Sequence, residues 1–362
     1  MPTSDRPTVD VAYSGYRHTV GIAEAVVRGA ADVGADVVSV PVDTVTEEQW
    51  AQPDAAGACI GTARNLGARA QKGHNAMSTT PEPHRAPTGP ADTLPLRDAV
   101  RIPVLGLGVF RSPAGRATQQ AVTAALDAGY RHIDTAAVYG NEVDVGQGLR
   151  DSGLDRDQVF VTTKLWNADH GYQSALDAFE RSRRLLGVDH IDLYLVHWPV
   201  PGIRQETWRA MEHLLETGKA RAIGVSNYMT HHLEELLGHA QHLPSVNQFE
   251  LSPYNYRSRA DVIDLSRKNG IQVEAYSPLT KGRKLDDPPL VRIADAHRRS
   301  TAQVLIRWAL QHELVVLPKS THADRIAGNA DVFDFTLTDD EMETPDALDE
   351  NLVTAWDPTT TP

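Results

Sequence analysis

The chain has a single cysteine, Cys59, among its 362 residues, so no disulfide can form within it. It also lacks a secretory signal pattern and any apolar run approaching the roughly 20 residues needed to cross a bilayer. Chains without disulfides are typical of reducing compartments. The sequence therefore predicts a soluble cytoplasmic protein, and it argues against a secreted disulfide scaffold or a helical membrane protein.

Basic residues are in the minority, because 35 Lys and Arg stand against 48 Asp and Glu, for a formal net charge of -13. Such a chain repels polyanions, so nucleic acid and acidic membranes are not expected partners, although a local basic pocket for one phosphate stays open. The histidines, including His231 and His232, lack metal-ligand spacing, and no cysteine pair exists for zinc. We expect a small-molecule partner and no metal.

The chain also lacks a Gly-x-Gly-x-x-Gly motif between a strand and a helix, so a Rossmann site is not indicated. Strand-like runs alternate with segments of helical apolar spacing, such as residues 117–129, 172–187 and 206–218. This alternation predicts parallel strands with crossover helices. A barrel of this kind takes about 250 residues, so the length suits one (β/α)8 barrel plus an extension.

We expect the barrel to begin after a short hairpin centred on Arg97 and Asp98. Its eight predicted strands lie near Pro103–Gly108, Arg131–Asp134, Val159–Lys164, Ile191–His197, Arg221–Ser226, Ser245–Glu250, Gln272–Tyr276 and Leu314–Pro318.

Residues 1–61 have a different pattern. Predicted strands at Thr8–Tyr13 and Asp36–Pro41 flank a Ser, Gly and Thr loop, residues 14–19, and a helix near residues 20–33. Such a loop at a helix N-terminus can hold a phosphate, and this βαβ unit resembles the start of a flavodoxin-like domain. A flavodoxin-like sheet needs five parallel strands, and the pattern stops near Ala58–Gly61. We therefore predict a truncated flavodoxin-like segment.

Residues 62–92 are rich in Arg, Gly, Pro, Ser and Thr with little periodicity, which predicts a flexible linker. Residues from Met77 onward would by themselves make a complete barrel protein. Our hypothesis is that residues 1–76 are a truncated fusion, or an upstream extension absent from the native product. The barrel is predicted to occupy residues 93–362.

Four polar residues lie at the C-terminal ends of three successive predicted strands: Asp134, Tyr139, Lys164 and His197. Active sites of parallel barrels are built at this rim. A phenol is a poor proton donor at neutral pH unless its anion is stabilised, and a nearby cation does so. The grouping of an acid, a phenol, an amine and an imidazole therefore predicts proton-transfer chemistry.

These segments resemble the aldo-keto reductase family, in which Asp, Tyr, Lys and His form a catalytic tetrad, and the resemblance covers roughly Thr93 to Ala355. It implies that Tyr139 is the general acid and base, that Lys164 and Asp134 lower its pKa toward the working range, and that His197 orients the substrate carbonyl. It also implies a TIM barrel, and reduction of aldehydes and ketones to alcohols by hydride transfer from NADPH.

The resemblance assigns contacts with the nicotinamide to later strand ends. Three polar residues would bind its carboxamide: Ser226, Asn227 and Gln248. The ring of Tyr276 would stack on the nicotinamide and expose one face for hydride transfer. Ser277 and Leu279 would continue along the pyrophosphate.

Four residues after the last predicted strand would bind the adenosine end of the cofactor: Lys319, Ser320, Arg325 and Asn329. A guanidinium and a lysine suit the 2′-phosphate, which favours NADPH over NADH. The chain departs from the family pattern at His322, where relatives often have Arg, and at Gly328, which replaces the usual Glu.

Four aromatic residues predict an apolar substrate pocket around the tetrad: Phe110, Trp166, Trp198 and Trp356. By resemblance, the C-terminal segment that carries Trp356 should fold over this pocket. The short loops and residues 331–342 resemble the bacterial branch that includes 2,5-diketogluconate and methylglyoxal-type reductases. The sequence does not select one carbonyl substrate.

Two other interpretations stay open. The loop at residues 14–19 suggests a flavin and nicotinamide electron-transfer fusion. A non-enzymatic NADPH-binding regulatory barrel is the other, and the complete tetrad argues against it.

Family members are often monomers and no long apolar surface helix stands out, so we expect a monomer.

Overall fold

The computed structural model describes two strands, Thr8–Tyr13 (β1) and Asp36–Pro41 (β2), and the continuous chain from residue 87 to residue 361. The two strands pair in parallel. The loop and helix predicted between them, the third strand near residue 58 and most of the predicted linker lie outside the described residues. The chain divides into two units, Met1–Thr79 and Thr80–Pro362, and the barrel belongs to the second.

A short antiparallel hairpin precedes the barrel and confirms the prediction. β3 (Thr93–Pro95) and β4 (Arg101–Pro103) pair around a 3-10 turn at Arg97–Ala99. Residues 87–92, the end of the predicted flexible linker, are ordered as a turn. The Asp92 carboxylate accepts hydrogen bonds there from the Thr88 backbone N–H (2.5 Å) and hydroxyl (3.0 Å).

Eight parallel strands form one sheet in chain order, which confirms the predicted (β/α)8 architecture. They are β5 (Leu107–Gly108), β6 (His132–Asp134), β7 (Phe160–Leu165), β8 (Ile191–Val196), β9 (Ala220–Ser226), β10 (Val246–Glu250), β11 (Gln272–Tyr276) and β12 (Val315–Leu317). The sheet closes on itself through a parallel bridge between Leu105 and Val316. The first strand is shorter than predicted. Pro103 belongs to β4, the Val104 N–H bonds to Asp92 O just before β3 (2.8 Å), and Leu105 pairs with β12 only through the single bridge.

Helices surround the barrel: α1 (Arg116–Asp127), α2 (Glu142–Asp151), α3 (Tyr172–Leu186), α4 (Arg204–Glu216), α5 (Thr230–Leu237), α6 (Ala260–Lys268), α7 (Pro288–His297), α8 (Thr301–Gln311), α9 (Ala323–Ala330) and α10 (Asp339–Asp346). Their ends follow the sequence signals. α3 ends at Gly187 with a φ of 70°, a conformation that glycine adopts without steric cost. Ser300 caps the N-terminus of α8, and its hydroxyl accepts the Gln303 N–H.

Side chains fill the barrel interior in layers, as such barrels require. The floor is apolar and includes hairpin residues: Val100, Ile102, Phe160, Leu193, Leu195, Ala222, Val246 and Val315. Above it lie buried polar groups, among them His132, Thr162 and Glu274. Asp134 at the end of β6, Lys164 one residue before the end of β7 and Gln248 within β10 are also buried. The interior thus changes from apolar to ionisable toward the C-terminal rim.

Within residues 8–13, 36–41 and 87–361, no helix combines the length and apolar character needed to cross a membrane.

Candidate active site

The centre of the site is a buried ion pair between neighbouring strands. Asp134 ends β6, and Lys164 is the fifth residue of β7. The Lys164 ammonium donates to both Asp134 carboxylate oxygens, at 2.7 and 2.8 Å, and to Thr135 O at 2.9 Å. Its side chain has no exposed surface and that of Asp134 has 5%. The strands therefore bring these two predicted residues into direct contact.

Tyr139 lies beside this pair, in a 3-10 helix that follows β6, Ala137–Tyr139. The Lys164 Nζ is 5.2 Å from the centre of its ring. The pKa of Tyr139 is raised well above its ordinary value, first by desolvation and second by the charge of Asp134. The prediction that Lys164 lowers this pKa is therefore wrong for the chain by itself, because desolvation and the charge of Asp134 both act in the opposite direction. The phenol consequently stays protonated.

His197 directly follows β8, and its ring centre lies 5.7 Å from that of Tyr139. Burial and the charge of Lys164 hold the pKa of His197 well below its ordinary value, so the ring is neutral. Its Nδ1 is buried and has no hydrogen-bond partner within the described part of the chain. A proton there would be an unpaired buried donor, so we place the single proton on Nε2. His197 is then a neutral donor.

The four predicted aromatic residues join Tyr139 and His197 in one continuous set of ring contacts. Phe110 lies 5.0 Å from Tyr139, and Trp166 lies 5.3 Å from His197. Trp198 stacks on His197 at 6.2 Å and contacts Trp356 at 4.6 Å. Phe110 and Trp356 are 45% and 59% exposed, so they form the outer edge of the recess. The tetrad therefore lies at the base of an aromatic recess.

Glu250 and Lys281 hold the C-terminal segment in this position, and sequence analysis missed both. The Glu250 carboxylate accepts from the Thr354 N–H and the Ala355 N–H, each at 2.9 Å, and from the Thr354 hydroxyl. Lys281 donates to Thr354 O. In the sequence, the only local indication of this role was the acid Glu250 at the end of an apolar strand. These contacts place Trp356 against Trp198.

Asn227, Ser226 and Tyr276 form a hydrogen-bonded group at the ends of β9 and β11. The Asn227 amide nitrogen donates to His197 O (2.9 Å) and Ser226 Oγ (3.1 Å), and its oxygen accepts from the Tyr276 hydroxyl (2.8 Å). Asn227 has a φ of 63°, which asparagine tolerates better than most residues. One lone pair of its amide oxygen is left for a ligand.

Gln248 connects this group to the ion pair. Its amide nitrogen donates to Asp134 Oδ2 at 2.9 Å and to Glu274 Oε2 at 2.8 Å. Its amide oxygen accepts no hydrogen bond from any residue that the structure describes. Sequence analysis identified Gln248 but not Glu274, which lies beside it on β11. Ser277 and Leu279 continue the loop after β11, and Ser277 has a φ of 51°.

The residues predicted to bind the adenosine end lie apart from the tetrad, after β12 and in α9. Lys319 and Arg325 are exposed, whereas Ser320 and Asn329 are 8% exposed. The Ser320 hydroxyl accepts the His322 N–H at 3.1 Å and so shapes the turn into α9. Partial burial lowers the pKa of Lys319. No atom lies within 4 Å of a Cβ added at Gly328, so a larger side chain fits there.

No group of three or more His, Cys, Asp or Glu side chains in the described ranges could hold a metal ion.

The chain was compared with protein families and with proteins of known name. The model of the Aldo/keto reductase family matches residues 105–350. The chain is 48% identical over 265 residues to Glyoxal reductase of Bacillus subtilis (strain 168), covering 73% of this chain and 95% of that protein. It is 49% identical over 266 residues to 9,11-endoperoxide prostaglandin H2 reductase of Trypanosoma cruzi (strain CL Brener), covering 73% and 93%.

Solved structures give the same result. A variant of Gox0644 in complex with NADPH superposes with a TM-score of 0.70 at 40% identity, covering 75% of this chain and 99% of that one. An aldo/keto reductase from Brucella melitensis has a TM-score of 0.69 at 44% identity, covering 72% and 100%. These matches concern the barrel. The flavodoxin-like resemblance of residues 1–61 gains no support from them.

Proposed function

The chain belongs to the aldo/keto reductase family, and from this premise we propose that Tyr139, Lys164, Asp134 and His197 carry out its carbonyl reduction. NADPH-dependent reduction of aldehydes and ketones is the activity of the family, and NADPH is its cofactor. The observation that carries our assignment is the convergence of a protonated phenol, a neutral imidazole and a buried ion pair in one aromatic recess.

Proton donation is the role we assign to Tyr139. An alkoxide is more basic than a phenolate, so a phenol with a raised pKa still gives up its proton once negative charge develops on the carbonyl oxygen. Lys164, held by Asp134, then stabilises the phenolate that remains. The His197 Nε2–H donates to the same carbonyl oxygen and orients it.

The remaining polar groups fit a nicotinamide cofactor. The unpaired amide oxygen of Gln248 and the free lone pair of Asn227 suit a carboxamide, which carries two N–H donors. Ser226 and Tyr276 hold Asn227 in place for this contact. Bound there, the cofactor supplies a hydride to the carbonyl carbon. The protein supplies the proton and the electrostatic stabilisation.

The low pKa of His197 leads to a pH prediction. Because the folded-state pKa lies well below 6.5, the ring stays a neutral donor as the pH falls through 6.5. We expect kcat for carbonyl reduction to show no inflection near pH 6.5 when both substrates are saturating. His197→Gln, a neutral donor that cannot titrate, is the control. An inflection present in the wild type and absent from this variant would contradict the assignment.

Lys319, Ser320, Arg325 and Asn329 are proposed to bind the adenosine end, and Arg325 provides the sharpest test. Loss of a charge-assisted hydrogen bond to the 2′-phosphate costs about 1.5–3 kcal/mol. Arg325→Ala should therefore weaken NADPH binding by roughly 10- to 100-fold. NADH has no 2′-phosphate, so its affinity should change by less than about twofold.

The matched control for Arg325 is Arg184→Ala, which removes an exposed arginine from α3, away from β12. It should change neither affinity. Equal weakening of NADPH and NADH by Arg325→Ala, measured by calorimetric titration, would show that the 2′-phosphate is not the group that Arg325 contacts.

Aromatic walls suit a range of small aldehydes and ketones rather than one highly polar substrate. The nicotinamide absorbance should therefore decay with glyoxal, methylglyoxal and an aromatic aldehyde, with NADPH preferred over NADH. Glyoxal is included because a relative is named for its reduction. No decay with any of these carbonyls, in protein that binds NADPH, would support a cofactor-binding regulatory barrel instead.

The flavin electron-transfer alternative is not favoured, because the matched family and the tetrad account for the barrel without a flavin.

Residues 1–61 and 62–92 are proposed as an N-terminal extension and linker that precede the barrel, residues 93–362. The single cysteine supports a cytoplasmic location. We further propose that the protein acts as a monomer without nucleic-acid partners.

A further inference from the structure

The side-chain amide of Gln248 has only one orientation that satisfies its neighbours. An amide nitrogen carries two hydrogens, and Gln248 donates one to Asp134 Oδ2 (2.9 Å) and the other to Glu274 Oε2 (2.8 Å). Rotation of the amide by 180° about the Cγ–Cδ bond would place its oxygen, in place of its nitrogen, next to Asp134 Oδ2 and Glu274 Oε2. The two acids therefore hold the amide oxygen on the side away from themselves.

Of the two acids, Glu274 has the more unusual surroundings. It lies on β11 in register with Gln248 on β10, and its side chain has no exposed surface. Its Oε1 has no hydrogen-bond partner in residues 87–361, and the nearest basic atom, His132 Nε2, is 3.7 Å away. Glu274 thus has no cation partner in that range, and burial of an unpaired carboxylate would cost several kcal/mol.

The charges that face Glu274 show which protonation state it takes. They come from Asp134 and Lys164, and these two groups are already paired with each other. The pKa of His132 is lowered to about 3, mainly by burial, so its ring is neutral. Burial and the charge of Asp134 raise the pKa of Glu274 to about 8. At neutral pH Glu274 therefore holds its proton on Oε1, the oxygen that faces the neutral ring of His132 (Nε2 at 3.7 Å), while its Oε2 accepts from Gln248.

We propose that Glu274 is a positioning residue that fixes the Gln248 amide with its oxygen toward the nicotinamide carboxamide. This inference rests on the NADP(H) site proposed above. Because Glu274 is neutral, it supplies the acceptor without adding a second negative charge beside the Lys164–Asp134 pair. It does not touch the reacting atoms and acts only through Gln248.

The test compares two replacements and two ligands. Glu274→Leu removes the acceptor at similar volume, and Glu274→Gln keeps a neutral acceptor. Calorimetric titration with NADPH and with 2′,5′-ADP, which has no nicotinamide, measures each end of the site separately. Loss of one buried acceptor should weaken NADPH binding by about tenfold in Glu274→Leu. Binding of 2′,5′-ADP should be unchanged, and Glu274→Gln should recover most of the NADPH affinity.

Three results would overturn the proposal: unchanged NADPH affinity in Glu274→Leu, equal weakening of both ligands, or a Glu274→Gln variant as weak as Glu274→Leu. Equal weakening would indicate a general structural role. If the wild-type protein binds neither ligand, the proposed cofactor site itself is wrong, and this outcome is distinct from failure of the Glu274 inference.

A second measurement needs only the conservative variant and so does not depend on the folding of Glu274→Leu. When the pH rises above about 8, Glu274 ionises and its charge favours the cationic ring of NADP+ over the neutral ring of NADPH. The Kd of NADPH divided by that of NADP+ should increase severalfold between about pH 7 and pH 9.5 in the wild type, and less in Glu274→Gln. Identical pH dependence in the two proteins would contradict a titrating Glu274.

Discussion

Tyr139→Phe is expected to lower kcat for carbonyl reduction by about a hundredfold to ten-thousandfold, because general acid catalysis contributes about 10²–10⁴ and this variant has no proton donor in its place. Phenylalanine keeps the ring contacts with Phe110 and His197 and the cation–π contact with Lys164. NADPH affinity should therefore stay within about twofold of the wild type. Steady-state kinetics and calorimetric titration measure the two quantities.

The matched control is Tyr172→Phe, which removes the hydroxyl of a 38% exposed tyrosine in α3. It should leave both kcat and NADPH affinity unchanged. A Tyr139→Phe variant that keeps near wild-type kcat would remove Tyr139 from the mechanism. Loss of NADPH binding together with turnover would instead mean that the tyrosine supports the site's structure.

Lys164→Met is expected to have the largest effect on stability. It leaves the Asp134 carboxylate buried without its cation, and breaking a buried pair in this way costs about 3–5 kcal/mol. For a domain of this size the cost corresponds to a fall in Tm of roughly 10 °C. Turnover should fall by at least about a hundredfold, because the cation that stabilises the phenolate is lost. Calorimetry and kinetics measure the two effects.

A double variant separates these two consequences of losing Lys164. Asp134→Asn combined with Lys164→Met removes both charges and leaves an amide that still accepts from Gln248. Its Tm should recover much of the loss, because no uncompensated charge remains buried. Its activity should stay as low as that of the single variant. Activity that recovers with Tm would mean that the ion pair has only a structural role.

The barrel was predictable from sequence because its signals are local. Apolar strand-like runs, helical spacing and glycine at helix ends, such as Gly187, lie within short windows of the chain. The first strand was predicted too long because its start depends on a distant partner. Val104 bonds to Asp92 just before β3, and the pattern around Pro103 cannot reveal that contact.

The proximity of Asp134, Tyr139, Lys164 and His197 was predictable because polar residues at successive strand ends meet at one rim. The supporting contacts were not, because they join residues far apart in the chain. Gln248 meets Asp134 across 114 positions, and Glu250 meets Thr354 across 104. The direction of the Tyr139 pKa was also missed. It depends on desolvation and on the charge of Asp134 nearby, which require the folded arrangement.

In the proposed reaction, hydride reaches the carbonyl carbon directly from the nicotinamide while the protein protonates the oxygen. The most direct measurement uses NADPH deuterated on the transferring face of the nicotinamide C4, with an aromatic aldehyde, and mass spectrometry of the alcohol. We predict one deuterium at the carbinol carbon of each product molecule. A product whose carbinol hydrogen comes from water would contradict direct transfer and favour an intermediary such as a flavin.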